Sequence, residues 1–154
     1  MNPWPYVVVG IWLLYTAWED MKNNTVDLGV PMAIILTRVA VEGPGWIPPA
    51  FRAILPLYLF MKVLEKAHYF MKRDSPVWGE GDTALITSVA MFLGLDLGAT
   101  ISFTLGAMLI TVLISVVVHT IRGQPLRALM EPMPLGPGIL TMYALTILYN
   151  LKLL

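Results

Sequence analysis

The chain has 154 residues, of which 57% are hydrophobic and only 13% charged, against roughly 25% charged in average soluble domains. Ten basic and ten acidic residues cancel, so there is no polybasic footprint for a phosphate backbone. This composition, with a mean hydropathy of +0.72, excludes an ordinary cytosolic globule, a disordered chain and a nucleic-acid binder. What remains is an all-α, polytopic membrane protein, read as one domain over residues 1–154. The absence of cysteine excludes disulfides, iron–sulfur ligation, zinc knuckles and thiol catalysis.

Six apolar stretches follow in order: Pro5–Trp18, Leu28–Val41, Ile47–Met61, Thr83–Leu95, Leu97–Val118 and Gly136–Leu151. They predict about six transmembrane helices, although only the fifth clearly reaches the roughly 20 residues of a full span. The first stretch has no basic n-region and no small-residue cleavage site, so it is expected to be an uncleaved membrane helix. Gly43-Pro44-Gly45 marks a turn, and Gly94-Leu95-Asp96-Leu97-Gly98 a weaker break. Pro132, Pro134, Gly136, Pro137 and Gly138 crowd the approach to the last stretch.

Basic residues set the expected orientation. Segments 19–27, 62–81 and 119–135 carry Lys22, Lys62, Lys66, Lys72, Arg73, Arg122 and Arg127. The turns at 42–46 and 96 carry none, and Arg38 lies near the first of them. By the positive-inside rule the three charged segments face the cytoplasm across the plasma membrane and the N-terminus faces out. Asp20 follows the first crossing and Asp82 precedes the fourth, so both are expected at cytoplasmic helix ends, where they can meet.

Two convergent carboxylates can split a peptide bond. Like charges a few ångströms apart share one proton. The ionised member activates a water, and the protonated member donates to the scissile carbonyl. Such a pair titrates as a unit, so neither role is assigned to one aspartate. Asp82 closes Gly79-Glu80-Gly81-Asp82, whose glycines permit backbone conformations and close approaches that a Cβ forbids. Each aspartate also has a structural reading: Asp82 as an N-cap for a helix starting at Thr83, and Asp20 as an acidic end marker among headgroups.

Three pieces of sequence resemble the type IV prepilin peptidase family, and most closely its archaeal branch acting on preflagellins and pilin-like precursors. Asp20-Met21-Lys22 with Val26 is similar to the family's D-x-K-x-x-x-V pattern. Gly79-Glu80-Gly81-Asp82 is similar to its G-x-G-D motif at the fourth helix. Pro134-Leu135-Gly136-Pro137 is similar to the P-x-G-P before its last helix. The resemblance implies a membrane-embedded aspartic endopeptidase that removes a short basic leader, a class III signal peptide, from prepilin or preflagellin-like precursors at the cytoplasmic face. It makes Asp20 and Asp82 the catalytic pair, with Gly79 and Gly81 shaping the loop that presents Asp82. It implies no cofactor and no metal. The bacterial enzymes add a Cys-x-x-Cys segment and methylate the new N-terminus; without cysteine, no methyltransferase domain is expected. Presenilin-type proteases share G-x-G-D, but their Tyr-Asp and Pro-Ala-Leu motifs are missing here.

Other residues carry weaker signals. Lys22 could lower the pKa of Asp20 or meet a substrate acid; otherwise it is a positive-inside anchor. Glu19 and Glu80 read as solvated residues, Asp27 as a helix N-cap and Asp96 as structural. Arg52 lies inside an apolar stretch, calling for a partner, a water cavity or snorkelling. His68 and His119 lack a third ligand for a metal. Trp4, Trp12, Trp18, Trp46 and Trp78 read mostly as interface markers. Lys62, Lys66, Lys72 and Arg73 predict an amphipathic segment on the cytoplasmic leaflet. The competing function is a non-enzymatic membrane scaffold or small transporter. Transporters, however, place acids near the midplane in matched halves, a pattern not seen here. Expected partners are the precursor proteins and the lipid bilayer.

Overall fold

The computed structural model describes residues 3–23, 25–71, 80–123 and 134–150. These are all-helical: α1 (Trp4–Asn23), α2 (Gly29–Glu42), a 3-10 turn (Pro44–Trp46), α3 (Ile47–Met71), α4 (Glu80–Leu93), α5 (Leu97–Ile121) and α6 (Gly136–Asn150). The apolar stretches each became one helix, with ends that shifted for identifiable reasons. α3 continues ten residues past Met61, so Lys62 and Lys66 ride on the same helix rather than on a separate surface segment. Lys72, Arg73 and Trp78 lie outside the described residues. α4 already includes Glu80 and Gly81, so Asp82 sits inside its first turn and is not the N-cap of a helix starting at Thr83.

Helix ends are closed by short-range polar contacts. The Asp96 carboxylate accepts from Ala99 N–H at 2.7 Å and caps α5. Asp27 accepts from Gly29 N–H at 2.8 Å, at the first residue of α2. The structural role of Asp96 agrees with the sequence reading, whereas the N-cap position of α2 is held by Leu28, so Asp27 sits one residue before the cap and bonds Gly29 in a local turn instead. At the end of α4, Gly94 has φ +66, a left-handed conformation natural to glycine. There Arg38 reaches over from α2. Its Nη1 donates to the carbonyls of Met91 and, at 2.7 Å, Phe92. Its Nη2 pairs with Glu42 at 3.2 Å, and its guanidinium lies 4.6 Å above the Trp46 ring. Arg38 thus supplies the cation at an α4 terminus whose own last turn has no basic residue. Arg38→Met should lower stability by about 2 kcal/mol, because two carbonyls lose a charged donor. A thermal midpoint equal to wild type would remove that role.

The contacts give the packing order. α6 lies against α1 and α5, and α4 against α2 and α3. α1 and α6 are antiparallel: Gly136 at the start of α6 bonds Asp20 near the end of α1, and Tyr143 Oη, half-way along α6, donates to Tyr6 O at the start of α1, at 2.8 Å. α2 and α4 run parallel, with Val26 beside Gly81 at one end and Arg38 on Met91 and Phe92 at the other. Val9, Leu13, Ile34, Leu85, Val89, Ile139 and Tyr143 fill the centre.

α5 is inside out by the standard of a soluble helix. Its buried face is Thr100, Phe103, Thr104, Ala107 and Thr111. Its outer face is Ile101, Leu105, Leu109, Leu113 and Val117, with the three leucines 61, 62 and 56% exposed. Surface helices in water put the apolar stripe on the core; helices in lipid put small and hydroxyl residues at the seam. α5 has 25 residues, and an 18-residue stretch within it has a mean hydropathy of 2.5. Among the described residues it is the one helix long and apolar enough to cross a membrane unaided. α2 with Pro44–Arg52 passes the same test but bends by 115°.

Candidate active site

The three sequence motifs converge at one end of the bundle. Asp20 lies in the last turn of α1, beyond the apolar stretch Pro5–Trp18, and is buried. Its Oδ2 accepts the main-chain N–H of Gly136 at 2.7 Å. The first residue of α6 thereby donates one of the orphan N–H groups of a helix start to a carboxylate. Burial pushes the Asp20 carboxyl up from the ordinary carboxylate range, and the Gly136 hydrogen bond pulls it back. Lys22, read either as acting on Asp20 or a substrate acid or as a positive-inside anchor, is exposed.

Asp82 is half-buried in the first turn of α4. Beside it, Gly81 meets the strand of chain between α1 and α2. A Cβ on Gly81 would lie 2.7 Å from the Val26 Cβ and 2.9 Å from the Val26 carbonyl oxygen. Only a hydrogen fits there, so this glycine is required by a neighbour rather than by its own dihedral angles. The contact ties the segment after Asp20 to the residue before Asp82. Gly79, the other glycine of the motif, lies outside the described residues.

α1 and α4 share α2 and α6 as neighbours. The geometry therefore joins motif one to motif three through Asp20 and Gly136, and motif one to motif two through Val26 and Gly81. Chemically, this end of the bundle presents a buried carboxyl with one oxygen fixed by a backbone donor, and a second carboxyl on the helix clasped to the same segment. Arg52 is exposed on α3, in keeping with the snorkelling reading. His119 is in the last turn of α5.

Two participants were missed in the sequence. The Gly136 N–H is a main-chain group and leaves no side-chain signal, although Pro137 beside it marks a helix start. Val26 was visible only as a motif position, with no indication that it faces Gly81. No family model, curated protein or solved structure matches the chain.

Proposed function

We propose that this chain is a membrane-embedded aspartic endopeptidase that removes the basic leader from prepilin or preflagellin-like precursors at the cytoplasmic face. The observation that carries the reading is the convergence just described: Asp20 on Gly136, and Val26 on Gly81 beside Asp82. The sequence pieces that resemble the peptidase motifs are distant in the chain and meet at one end of the fold.

The reading includes six crossings of the plasma membrane. It is supported by the inverted α5 and by exposed Val7, Ile11, Leu14 and Trp18 on α1. A continuous apolar exterior of this kind requires lipid or a partner. In the proposed reaction Asp20 and Asp82 share a proton. One activates water, and the other protonates the carbonyl oxygen of the scissile bond. The tetrahedral intermediate then collapses with proton transfer to the leaving amine. No nucleophilic side chain is consumed.

The test is cleavage of a precursor bearing a basic leader and an apolar helix by purified protein in detergent, with the product mapped by mass. A cut at the leader–helix junction, lost in the Asp20→Asn/Asp82→Asn double variant, is the expected result. No cut in any of several such precursors would move the assignment to a scaffold or small transporter.

A further inference from the structure

We propose that the main-chain N–H of Gly136 is a positioning group for Asp20, and that position 136 must be glycine for this reason. The inference rests on Asp20 being one of the reacting carboxyls.

The bond is 2.7 Å, between a buried glycine and a buried carboxylate 116 positions away in the chain. A Cβ at position 136 would lie 2.9 Å from the Ala17 Cα and 3.2 Å from Asp20 Oδ2. The nearest of these atoms is backbone and cannot step aside. α6 would have to back off α1, and the donor would leave its acceptor. The donor is also held from behind. A Cβ on Gly138 would fall 2.1 Å from the Ala107 carbonyl oxygen and 2.3 Å from Thr111 Oγ1. The first turn of α6 is therefore wedged between α1 and α5, and the N–H has no rotamer through which to escape. Tying Oδ2 fixes the plane of the carboxyl and assigns the chemistry to Oδ1.

The surrounding charges leave this donor in control. α6 carries no charged residue between Gly136 and Asn150. The charged residues of α2, Arg38 and Glu42, are engaged with each other at the opposite end of the bundle. On α1, Glu19 is half-buried and Lys22 exposed. On α4, Asp82 is the proposed partner carboxyl. A hydrogen bond to the charged form favours that form and lowers the carboxyl's pKa, and displacement of a reacting group by about 1 Å costs about 10²-fold.

The experiment replaces Gly136 by glycolic acid in the full chain, which exchanges the N–H for an ester oxygen and adds no bulk. Gly136→Ala is run beside it, and Gly106→Ala is the control at the neighbouring α5–α6 seam, where only the Met142 side chain would need to move. In nanodiscs, the ester and Gly136→Ala should each lower kcat by about 10²-fold with KM unchanged. The acid limb of the pH profile should move to higher pH, because the charged carboxylate loses its donor. Gly106→Ala should follow wild type. An ester variant with wild-type kcat and an unmoved acid limb overturns the proposal. If wild type cuts no precursor, the peptidase reading fails separately. The carboxyl carbon of Asp20, followed by NMR against pH, then decides: a higher midpoint in the ester supports the positioning role, and an equal midpoint overturns it.

Discussion

Asp20→Asn and Asp82→Asn are each expected to lower the single-turnover cleavage rate by about 10²–10⁴-fold, and the double substitution should go little further. A proton shared by two carboxyls is a property of the pair, so removing either member removes the whole function. The fold should survive the first substitution. Asparagine retains an oxygen that can accept the Gly136 N–H, so the junction of α1 and α6 stays closed while its charge is gone. The thermal midpoint of Asp20→Asn should therefore stay close to wild type. Asp20→Ala, by contrast, strands a buried N–H at a cost of about 1–3 kcal/mol. Cleavage at the wild-type rate by either asparagine variant would remove that aspartate from the mechanism.

Gly138→Ala should be the most damaging single methyl in the described structure. The added carbon would fall 2.1 Å from the Ala107 carbonyl oxygen, which belongs to the backbone of α5. Only separation of α5 from α6 relieves that overlap, at about 3 kcal/mol. Gly106→Ala is the informative contrast on the same seam. Its methyl would meet Sδ and Cε of Met142 at 2.7 and 2.8 Å, the flexible end of an adaptable side chain. Its cost should stay below about 1.5 kcal/mol. Equilibrium unfolding of the two variants in one detergent measures the difference. Equal effects would mean that the seam yields as a unit and that α5 does not hold α6 in place.

Helix positions were legible because apolar runs and glycine–proline breaks act locally. The end of α3 was not, because hydropathy drops at Lys62 and Lys66 while both residues remain good helix formers. The start of α4 was placed at Thr83 for a similar reason: glycine at 81 suggests a loop, but contact with Val26 fixes that residue in the helix. The proposed pairing of Asp20 and Asp82 came from chemistry and motif spacing. The Gly136 donor did not, since a main-chain N–H is present at nearly every position and only tertiary packing selects one. Arg38 was counted for orientation alone. Its engagement with Met91 and Phe92, 53 and 54 positions away, is a tertiary fact, hinted at only by the missing cation at the end of α4.

The unequal helix lengths have a consequence for the surrounding lipid. α5, with 25 residues, is about 37 Å long, whereas α2 and α4, with 14 described residues each, are about 21 Å. The hydrocarbon slab is about 30 Å thick. In the proposed bilayer α5 and the equally long α3 overreach the slab, whereas α2 and α4 fall short of it. Mismatch of this kind is met by tilting or by thinning of the leaflet beside the short helices. The short helices are the ones that carry Gly81 and Asp82, with Val26 just before α2. Thinning there draws headgroups and water inward toward the carboxyls, while α5 holds the bilayer beside it at full thickness. Under the proposed peptidase activity, acyl-chain length becomes a variable of hydrolysis, and turnover falling as the chains lengthen is the expected signature.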